Sequence, residues 1–456
     1  MTIMKVENRS IDFVPEDERY GKPRSLFFVW FGANANITTI AAGVLPVSLG
    51  LNLFWSVVSI LLGSLIGAIF MASHSAQGPR LGIPQMIQSR AQFGVFGAIV
   101  PLLFVMLIYL GFFVSNTLLA AQAIAKASPL SNGTNIVLLG VVCFLVALFG
   151  YQLIHRFQKL LSMVSIVVFS IASYFALTMS IEPGQWTTQG FGWVSFLACV
   201  SISVTWQLSY APYVADYSRY LPTETSSRQV FWYSYLGTVV GGSWMMILGA
   251  VLAKGMSGFA DNVGLNLVTV LGGGTLLTFA FVLYGQVAIN VFNLYGAFMS
   301  TVTVIEPYAA MKVTPRVRAG FMLVICATAT GLCTLAQDDF LQFFLNFIFF
   351  MSYFLIPWTA INLVDYYVLR KGVYRIADIF DPNGIYGRVN WIAVSIFIVT
   401  IILEIPFMST TLYVGPIATK LGGVDLAWAV GLIFPAIAYC TLMRRRQTVV
   451  SASAKA

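Results

Sequence analysis

Long apolar runs, separated by short polar segments, follow one another along most of the chain. A helix needs about 20 apolar residues to cross the hydrocarbon core of a bilayer. Runs of that length predict spans over residues 27–48, 51–73, 95–125, 136–154, 158–181, 195–213, 231–253, 275–300, 319–336, 339–363, 390–411 and 423–443. The pattern therefore predicts an all-α polytopic membrane protein with twelve transmembrane helices.

Charged residues are scarce, and their placement predicts an orientation. Apolar residues make up 58% of the 456-residue chain and charged residues 9%, against about 25% in soluble domains. With both termini inside, all of the 25 Lys and Arg residues except Lys126, Lys254 and Lys420 fall in inner segments. We therefore expect a multi-pass protein of the plasma (inner) membrane with cytoplasmic tails at 1–26 and 444–456. The net charge of +8 follows from topology and does not indicate a nucleic-acid partner.

Polar residues interrupt two of the predicted spans at membrane depth. Gly32–Thr39 interrupts span 1, and Thr205–Pro212 interrupts span 6. These spans begin two successive sets of five, and an odd number of spans gives the two sets opposite orientations. Interrupted helices at matching places in inverted halves are the best sequence indication of a transporter's central site. The predicted organisation is a first repeat at 27–181, a second repeat at 195–368, a cytoplasmic loop at 369–389 and two further helices over 390–443.

Carboxamide and aromatic side chains are concentrated on the interrupted and neighbouring spans. Phe112 and Asn116 are four residues apart and share one helix face, as do Asn290 and Asn293. Carboxamides offer paired donors and acceptors that match the edge of a nucleobase, and aromatic faces can stack on it. The alternative is that these amides bond between helices and only hold the bundle together. The candidate binding residues are Phe112, Asn116, Trp206, Gln207, Asn290 and Asn293.

Titratable groups are nearly absent from the predicted membrane interior. Glu404 is the one acidic residue that looks deep, but span 11 lies outside both five-span sets, so a coupling role is not favoured. The chain has no HExxH, GxSxG or P-loop pattern and no metal-like cluster of Cys and His. We therefore predict no enzyme activity, no ATP-driven pump, no cofactor, and a substrate that is neutral or at most weakly charged.

Three inner blocks, in order along the chain, carry a family resemblance. They are His74–Gln85 continuing to Ser89–Gly94, then Ala215–Tyr220, and then Asp365–Gly372 followed by Asp381–Gly384. With these blocks the chain resembles the nucleobase–cation symporter-1 family across nearly its whole length. Asn116 and the stretch from Asn290 to Tyr295 are most similar to the purine–cytosine permeases of that family.

The resemblance implies a LeuT-type fold of two inverted five-helix repeats plus two C-terminal helices. It also implies a substrate site between spans 1, 3, 6 and 8. Phe112 and Asn116 match the family's aromatic–amide pair, although many members have Trp where this chain has Phe112. The second stacking aromatic falls near Trp206, with Gln207 as the alternative register. The span-8 amide matches Asn293, with Asn290 close by, and the small hydroxyl residue on span 1 matches Thr38 or Thr39.

The positions that hold sodium in some family members are the second place where this chain departs from the family pattern. Sodium-coupled members place two adjacent Ser or Thr hydroxyls just before the span-8 asparagines. Here those positions are Ala288 and Ile289, which offer no oxygen ligand for sodium. We therefore predict coupling to protons, although the sequence identifies no proton carrier.

The leading hypothesis is a secondary active transporter that imports cytosine and/or purines such as adenine, guanine and hypoxanthine by proton-coupled symport with alternating access. The alternative within the class is a permease for another heterocycle, such as allantoin, a hydantoin, hydroxymethylpyrimidine or pyridoxine, with sodium coupling still open. From another class, a membrane receptor or channel could share the scaffold. The expected partners are a small nucleobase and the lipid bilayer. The oligomeric state stays open, and a monomer is compatible with the sequence.

Overall fold

The computed structural model describes residues 12–125, 128–149, 151–271, 276–308 and 314–453. Over these residues the chain is helical, with one isolated β-bridge between Ser409 and Val414. In chain order the helices are α1 (Ser25–Asn34), α2 (Ile37–Ser48), α3 (Leu53–Ser75), α4 (Gly78–Leu81), α5 (Gln85–Phe93), α6 (Ile99–Ile124), α7 (Asn132–Phe149), α8 (Tyr151–Thr178), α9 (Trp193–Leu208), α10 (Val214–Ser218), α11 (Ser227–Gly255), α12 (Val263–Val270), α13 (Leu276–Ile305), α14 (Pro315–Ala336), α15 (Phe340–Leu363), α16 (Ile376–Phe380), α17 (Trp391–Glu404), α18 (Pro416–Lys420) and α19 (Ala427–Ser453).

The helices agree with an all-α polytopic membrane protein. Within the described residues, eight helical spans are long and apolar enough to cross a bilayer, and the bent pair α1–α2 makes a ninth. The other three predicted spans fall on the shorter apolar stretches Asn132–Leu148, Val164–Thr178 and Trp391–Phe407. The all-helical class is confirmed, while the total of twelve spans stays a prediction.

The predicted interruption of span 1 is confirmed. α1 ends at Asn34, α2 begins at Ile37, and the two helices meet at 60°. Asn36 lies between them and caps α2, because its Oδ1 accepts a hydrogen bond from the backbone N–H of Thr39 at 3.0 Å. Asparagine is among the preferred N-cap residues, since its side chain satisfies a helix N–H that has no partner within the helix. The polar insert thus stabilises a turn at membrane depth.

The interruption of span 6 is milder. α9 ends at Leu208, and the chain then passes through a 3₁₀ turn at Ala211–Tyr213 into the short helix α10. Pro212 has no backbone N–H, so the regular hydrogen-bond ladder cannot continue through it. The whole stretch Trp193–Ser218 still runs as one span.

The two halves of the chain pack crosswise. The broken helix α1–α2 packs on α11, and its counterpart α9 packs on α3, while α6 packs on α13. Glycine allows the close approach in both halves: a Cβ atom at Gly43 would collide with the carbonyl of Met246 on α11, and one at Gly63 would collide with Ser203 on α9. Matching contacts of this kind are expected of two inverted repeats. α19 packs against α15 and α17 at one side of the bundle.

The Asp365 carboxylate ties together several inner segments that carry the resemblance. It accepts hydrogen bonds from Gln92 Nε2 (2.9 Å), Arg370 Nε (3.0 Å), Tyr374 Oη (2.7 Å) and Tyr439 Oη (3.0 Å). Burial and the neighbouring Asp365 carboxylate raise the pKa of the Tyr374 hydroxyl, so it stays protonated and donates at any physiological pH. This network links α5, the end of α15 and α19 on the side that the predicted orientation places in the cytoplasm.

Candidate substrate site

Four aromatic rings meet beside the break between α1 and α2. Phe112 on α6 lies 5.9 Å from Trp206 on α9, edge to face, as measured between ring centroids. Phe347 on α15 lies 5.2 Å from Phe112, and Phe344 lies 6.2 Å from Trp206. We call Phe112, Trp206, Phe344 and Phe347 the aromatic wall. The structure thus brings the two predicted rings together and adds two rings from α15 that the sequence did not single out.

The geometry of the wall leaves no gap between the two predicted rings. A base sandwiched between parallel rings needs two intervals of about 3.5–4.0 Å each, the optimal separation between non-bonded carbon atoms. Phe112 and Trp206 are closer than that and are inclined at 85°. A planar substrate can therefore stack on one ring face, or enter between the rings only after one of them rotates.

A chain of carboxamides runs beside the aromatic wall. Thr38 on α2 donates its hydroxyl proton to Asn116 Oδ1, and Asn116 Nδ2 donates to Asn290 Oδ1 at 3.1 Å. Asn290 in turn donates to Thr117 Oγ1 at 2.9 Å, and Asn293 Nδ2 points at Asn290 Oδ1 at 3.5 Å. The structure therefore joins four predicted residues from α2, α6 and α13 in one network: Thr38, Asn116, Asn290 and Asn293.

Asn116 keeps hydrogen-bonding capacity in this network. A carboxamide has two N–H donors and two carbonyl lone pairs. The contacts with Thr38 and Asn290 use one donor and one lone pair, so one of each stays available at a side chain that is 1% exposed. Asn290 is more fully used, since it also donates to the carbonyl of Phe113 at 3.3 Å. Asn116 is thus the amide best suited to a second, external partner.

Gln207 and Thr39 are placed differently from Asn116. Gln207 faces α11, where Thr238 donates to its Oε1, and its Nε2 donates to the Thr238 carbonyl at 3.3 Å. Thr39 directs its hydroxyl to the capping Asn36 at 3.2 Å. The sequence leaves open whether Trp206 or Gln207, and whether Thr38 or Thr39, faces the site. In the structure, Trp206 contacts Phe112 and Thr38 contacts Asn116.

Asn34, at the end of α1, is a polar hub that the sequence analysis did not name. Its Oδ1 accepts from Trp206 Nε1 (3.0 Å) and Tyr210 Oη (3.2 Å), and its Nδ2 donates to Thr238 Oγ1 (3.1 Å). It lies within the polar insert of span 1, which was the available signal. Through Asn34, the break in α1–α2 fixes the orientation of the Trp206 indole.

A cavity of about 550 Å³ lies near the aromatic wall, at helix ends that the predicted orientation places outside. Phe340 lines this cavity and stacks on Phe344 at 5.3 Å, and Phe344 meets Trp206. Phe340 and Phe344 therefore connect the lining of the outer cavity to Trp206 of the aromatic wall. The side chains that form the amide chain are all uncharged, and the described residues contain no cluster of His, Cys, Asp or Glu that could hold a metal.

The sequence matches a known family and several named relatives. Residues 13–431 match the family described as permeases for cytosine/purines, uracil, thiamine and allantoin. A putative purine-cytosine permease of Bacillus subtilis, YxlA, is 54% identical over 97% of both chains. The purine-cytosine permease fcyB of Emericella nidulans is 27% identical over 96% of this chain and 88% of that protein.

The fold also matches a solved transporter structure. Mhp1 in an inward-facing conformation has a TM-score of 0.76 and 19% identity, covering 97% of this chain and 94% of that chain. Mhp1 is a nucleobase-cation-symport-1 family transporter, so the LeuT-type arrangement of inverted repeats expected from the resemblance is confirmed. The family consists of permeases and not of enzymes. The chain therefore belongs to the nucleobase–cation symporter-1 family of membrane permeases.

Proposed function

We propose that this permease imports a neutral nucleobase, cytosine and/or a purine such as adenine, by proton-coupled symport. The observation that carries the proposal is the Asn116 carboxamide, which keeps one donor and one acceptor beside the aromatic wall. A paired donor and acceptor on one amide matches the donor–acceptor edge of a nucleobase. The names of the relatives, purine-cytosine permeases, support the same substrate class.

In the loaded state, the base stacks on a ring of the aromatic wall while Asn116 bonds to its edge. Thr38 and Asn290 hold the Asn116 amide in one orientation, because each uses one of its polar atoms. Asn293, which is 9% exposed, is the second amide available for the base. Gln207 bonds to Thr238 on α11 and Thr39 bonds to the capping Asn36, so we assign neither side chain a contact with the base.

The apolar surroundings of Ala288 support proton coupling. Ala288 is 2% exposed and belongs to an apolar cluster with Val291 and Leu294. Sodium is a hard cation that needs several oxygen ligands, and neither Ala288 nor Ile289 supplies a side-chain oxygen. The site on α13 used by sodium-coupled relatives therefore lacks two of its expected ligands.

The distribution of Lys and Arg supports a plasma (inner) membrane location with both termini in the cytoplasm. A fluorescent protein fused after Ala456 should fluoresce, because its chromophore matures in the cytoplasm. A fusion that is produced at normal levels but does not fluoresce would show that the C-terminus lies outside, contrary to the proposed orientation.

Uptake of labelled adenine and cytosine tests the proposal in cells that lack their own nucleobase carriers. We expect saturable uptake that accumulates the base above its outside concentration, collapses with a protonophore, and survives replacement of sodium by potassium. A strict sodium requirement with indifference to the protonophore would contradict proton coupling. Uptake that never raises the inside concentration above the outside concentration would contradict active transport. Competition by unlabelled allantoin, hydantoin or pyridoxine, with no competition by the bases, would assign another heterocycle.

A further inference from the structure

Glu404, at the end of α17, is a fully buried carboxylic acid. Its side chain is 0% exposed, and neither carboxyl oxygen has a hydrogen-bond partner among the described residues. A Cβ atom at Gly431 on α19 would collide with Glu404 Oε1 and would also lie 3.3 Å from Pro357 Cδ on α15. The carboxyl group therefore occupies a space left open by a glycine, between three helices.

The environment of Glu404 favours its neutral form. An isolated carboxylate without hydrogen bonds is very costly in an apolar interior, so such a group keeps its proton. Among the described residues, the titratable groups that face it are Tyr353 on α15 and Asp425 in the loop before α19. Neither is a cation that could stabilise a Glu404 carboxylate.

Asp425 is in the opposite situation. Its carboxylate accepts hydrogen bonds from Tyr353 Oη (2.6 Å), the Ser409 N–H (2.8 Å) and the Ala427 N–H (2.9 Å). Hydrogen bonds of this kind favour the charged form of a carboxyl group. Among the described residues, two neighbouring carboxyl groups thus have contrasting environments: Glu404 has no hydrogen bond, and Asp425 accepts three.

One helix connects this pair to the substrate site. α15 carries Phe344 and Phe347 in the aromatic wall and, further along, Tyr353 and Pro357 beside Glu404. Pro357 has no N–H to donate to the carbonyl one turn back, so the helix is locally weakened there and can bend. A change of charge at Glu404 therefore acts on the helix that positions two rings of the wall.

We propose that Glu404 binds the proton that is transported together with the base. The inference rests on the proposed proton-coupled function. A hydronium ion from the outer solution gives its proton to the Glu404 carboxylate, leaving water and a neutral carboxyl group that can be buried against Pro357 and Gly431. When the carrier opens to the cytoplasm, water reaches the carboxyl group, the O–H bond breaks, and the proton leaves on that side with the base.

The test uses the full chain in proteoliposomes, with two assays on each variant. In counterflow, unlabelled adenine inside exchanges for labelled adenine outside with no gradient. In the driven assay, an inward proton gradient accumulates labelled adenine. We expect Glu404→Gln, which resembles the neutral acid, to keep counterflow within about twofold of the unchanged protein and to lose accumulation, with a final inside-to-outside ratio near one. Glu182→Gln, in an exposed loop, is the matched control and should retain both activities.

The outcomes test the role of Glu404 and the proposed proton coupling separately. Accumulation by Glu404→Gln equal to that of the unchanged protein would overturn the role of Glu404 while leaving the proposed function intact. Absence of proton-driven accumulation in the unchanged protein would overturn the proposed coupling itself. If Glu404→Gln does not fold, Glu404→Asp is measured instead: we expect a shift in the external pH that gives half-maximal driven uptake, and an unshifted profile would overturn the inference.

Discussion

Asn116→Ala is expected to weaken adenine binding by about 100-fold, with no loss of folded protein, because two hydrogen bonds to the base edge disappear together with their orientation. The substitution also leaves Thr38 and Asn290 without their shared partner, which increases the loss. Equilibrium binding of labelled adenine to the purified protein measures the effect. The elution profile on size exclusion and the thermal unfolding midpoint in detergent report whether the protein is folded.

Two matched pairs separate this effect from general damage. Thr38→Val removes the hydroxyl that orients Asn116 and should weaken binding by about tenfold, the value of one lost hydrogen bond. Thr39→Val makes the same chemical change one residue along, where the hydroxyl contacts the capping Asn36, and should bind adenine normally. Asn346→Ala, at an outer contact with Thr411, controls for loss of an amide. Equal losses for Thr38→Val and Thr39→Val would argue that α2 acts only structurally.

Trp206→Ala should lower the apparent affinity for cytosine and adenine by about 10- to 100-fold, because stacking on an aromatic face contributes about 1–3 kcal/mol per base. Trp206→Phe retains a ring but loses the N–H that bonds to Asn34 at 3.0 Å, so we expect a loss of only a few fold. The KM and maximal rate of uptake, normalised to protein at the cell surface, provide the measurement.

The exposed Trp186, in the loop before α9, is the control for removal of an indole. Trp186→Ala should transport as the unchanged protein does. If Trp206→Ala retained the KM of the unchanged protein for both bases, the aromatic wall would not be the stacking surface, whatever the fate of Asn116.

The sequence predicts the break in span 1 because polar residues at membrane depth are compatible with few backbone arrangements. A stretch such as Gly32–Thr39 can stay in a span only by capping a new helix or by lining protein, and Asn36 does the first. The positions of Trp206 and Gln207 are harder to predict, since neighbouring residues on a helix project about 100° apart. If the register is wrong by one residue, Gln207 is assigned to the aromatic wall and Trp206 to the contact with Thr238. Only the packing of α9 on its neighbours shows which residue faces which way.

Residues whose role depends on distant packing could not be found from the sequence. Phe344 and Phe347 lie in a stretch with six phenylalanines between residues 340 and 350, whose polar residues Gln342 and Asn346 mark the face toward Thr411. Periodicity therefore does not show which of the six rings face Trp206. Span 11 lies outside the two repeats, so the sequence does not favour a coupling role for Glu404. The fold nevertheless places its carboxyl group against α15, through the gap at Gly431, which no local pattern reveals.

Crystals soaked with 5-bromocytosine give the most direct measurement, because the anomalous signal of bromine locates the base without reference to transport. We predict a single strong peak beside the aromatic wall, with the ring of the base on Trp206 or Phe112 and its edge at Asn116. A peak confined to the outer cavity near Phe340, or between helices away from the break in α1–α2, would contradict the uncharged, amide-lined site proposed here.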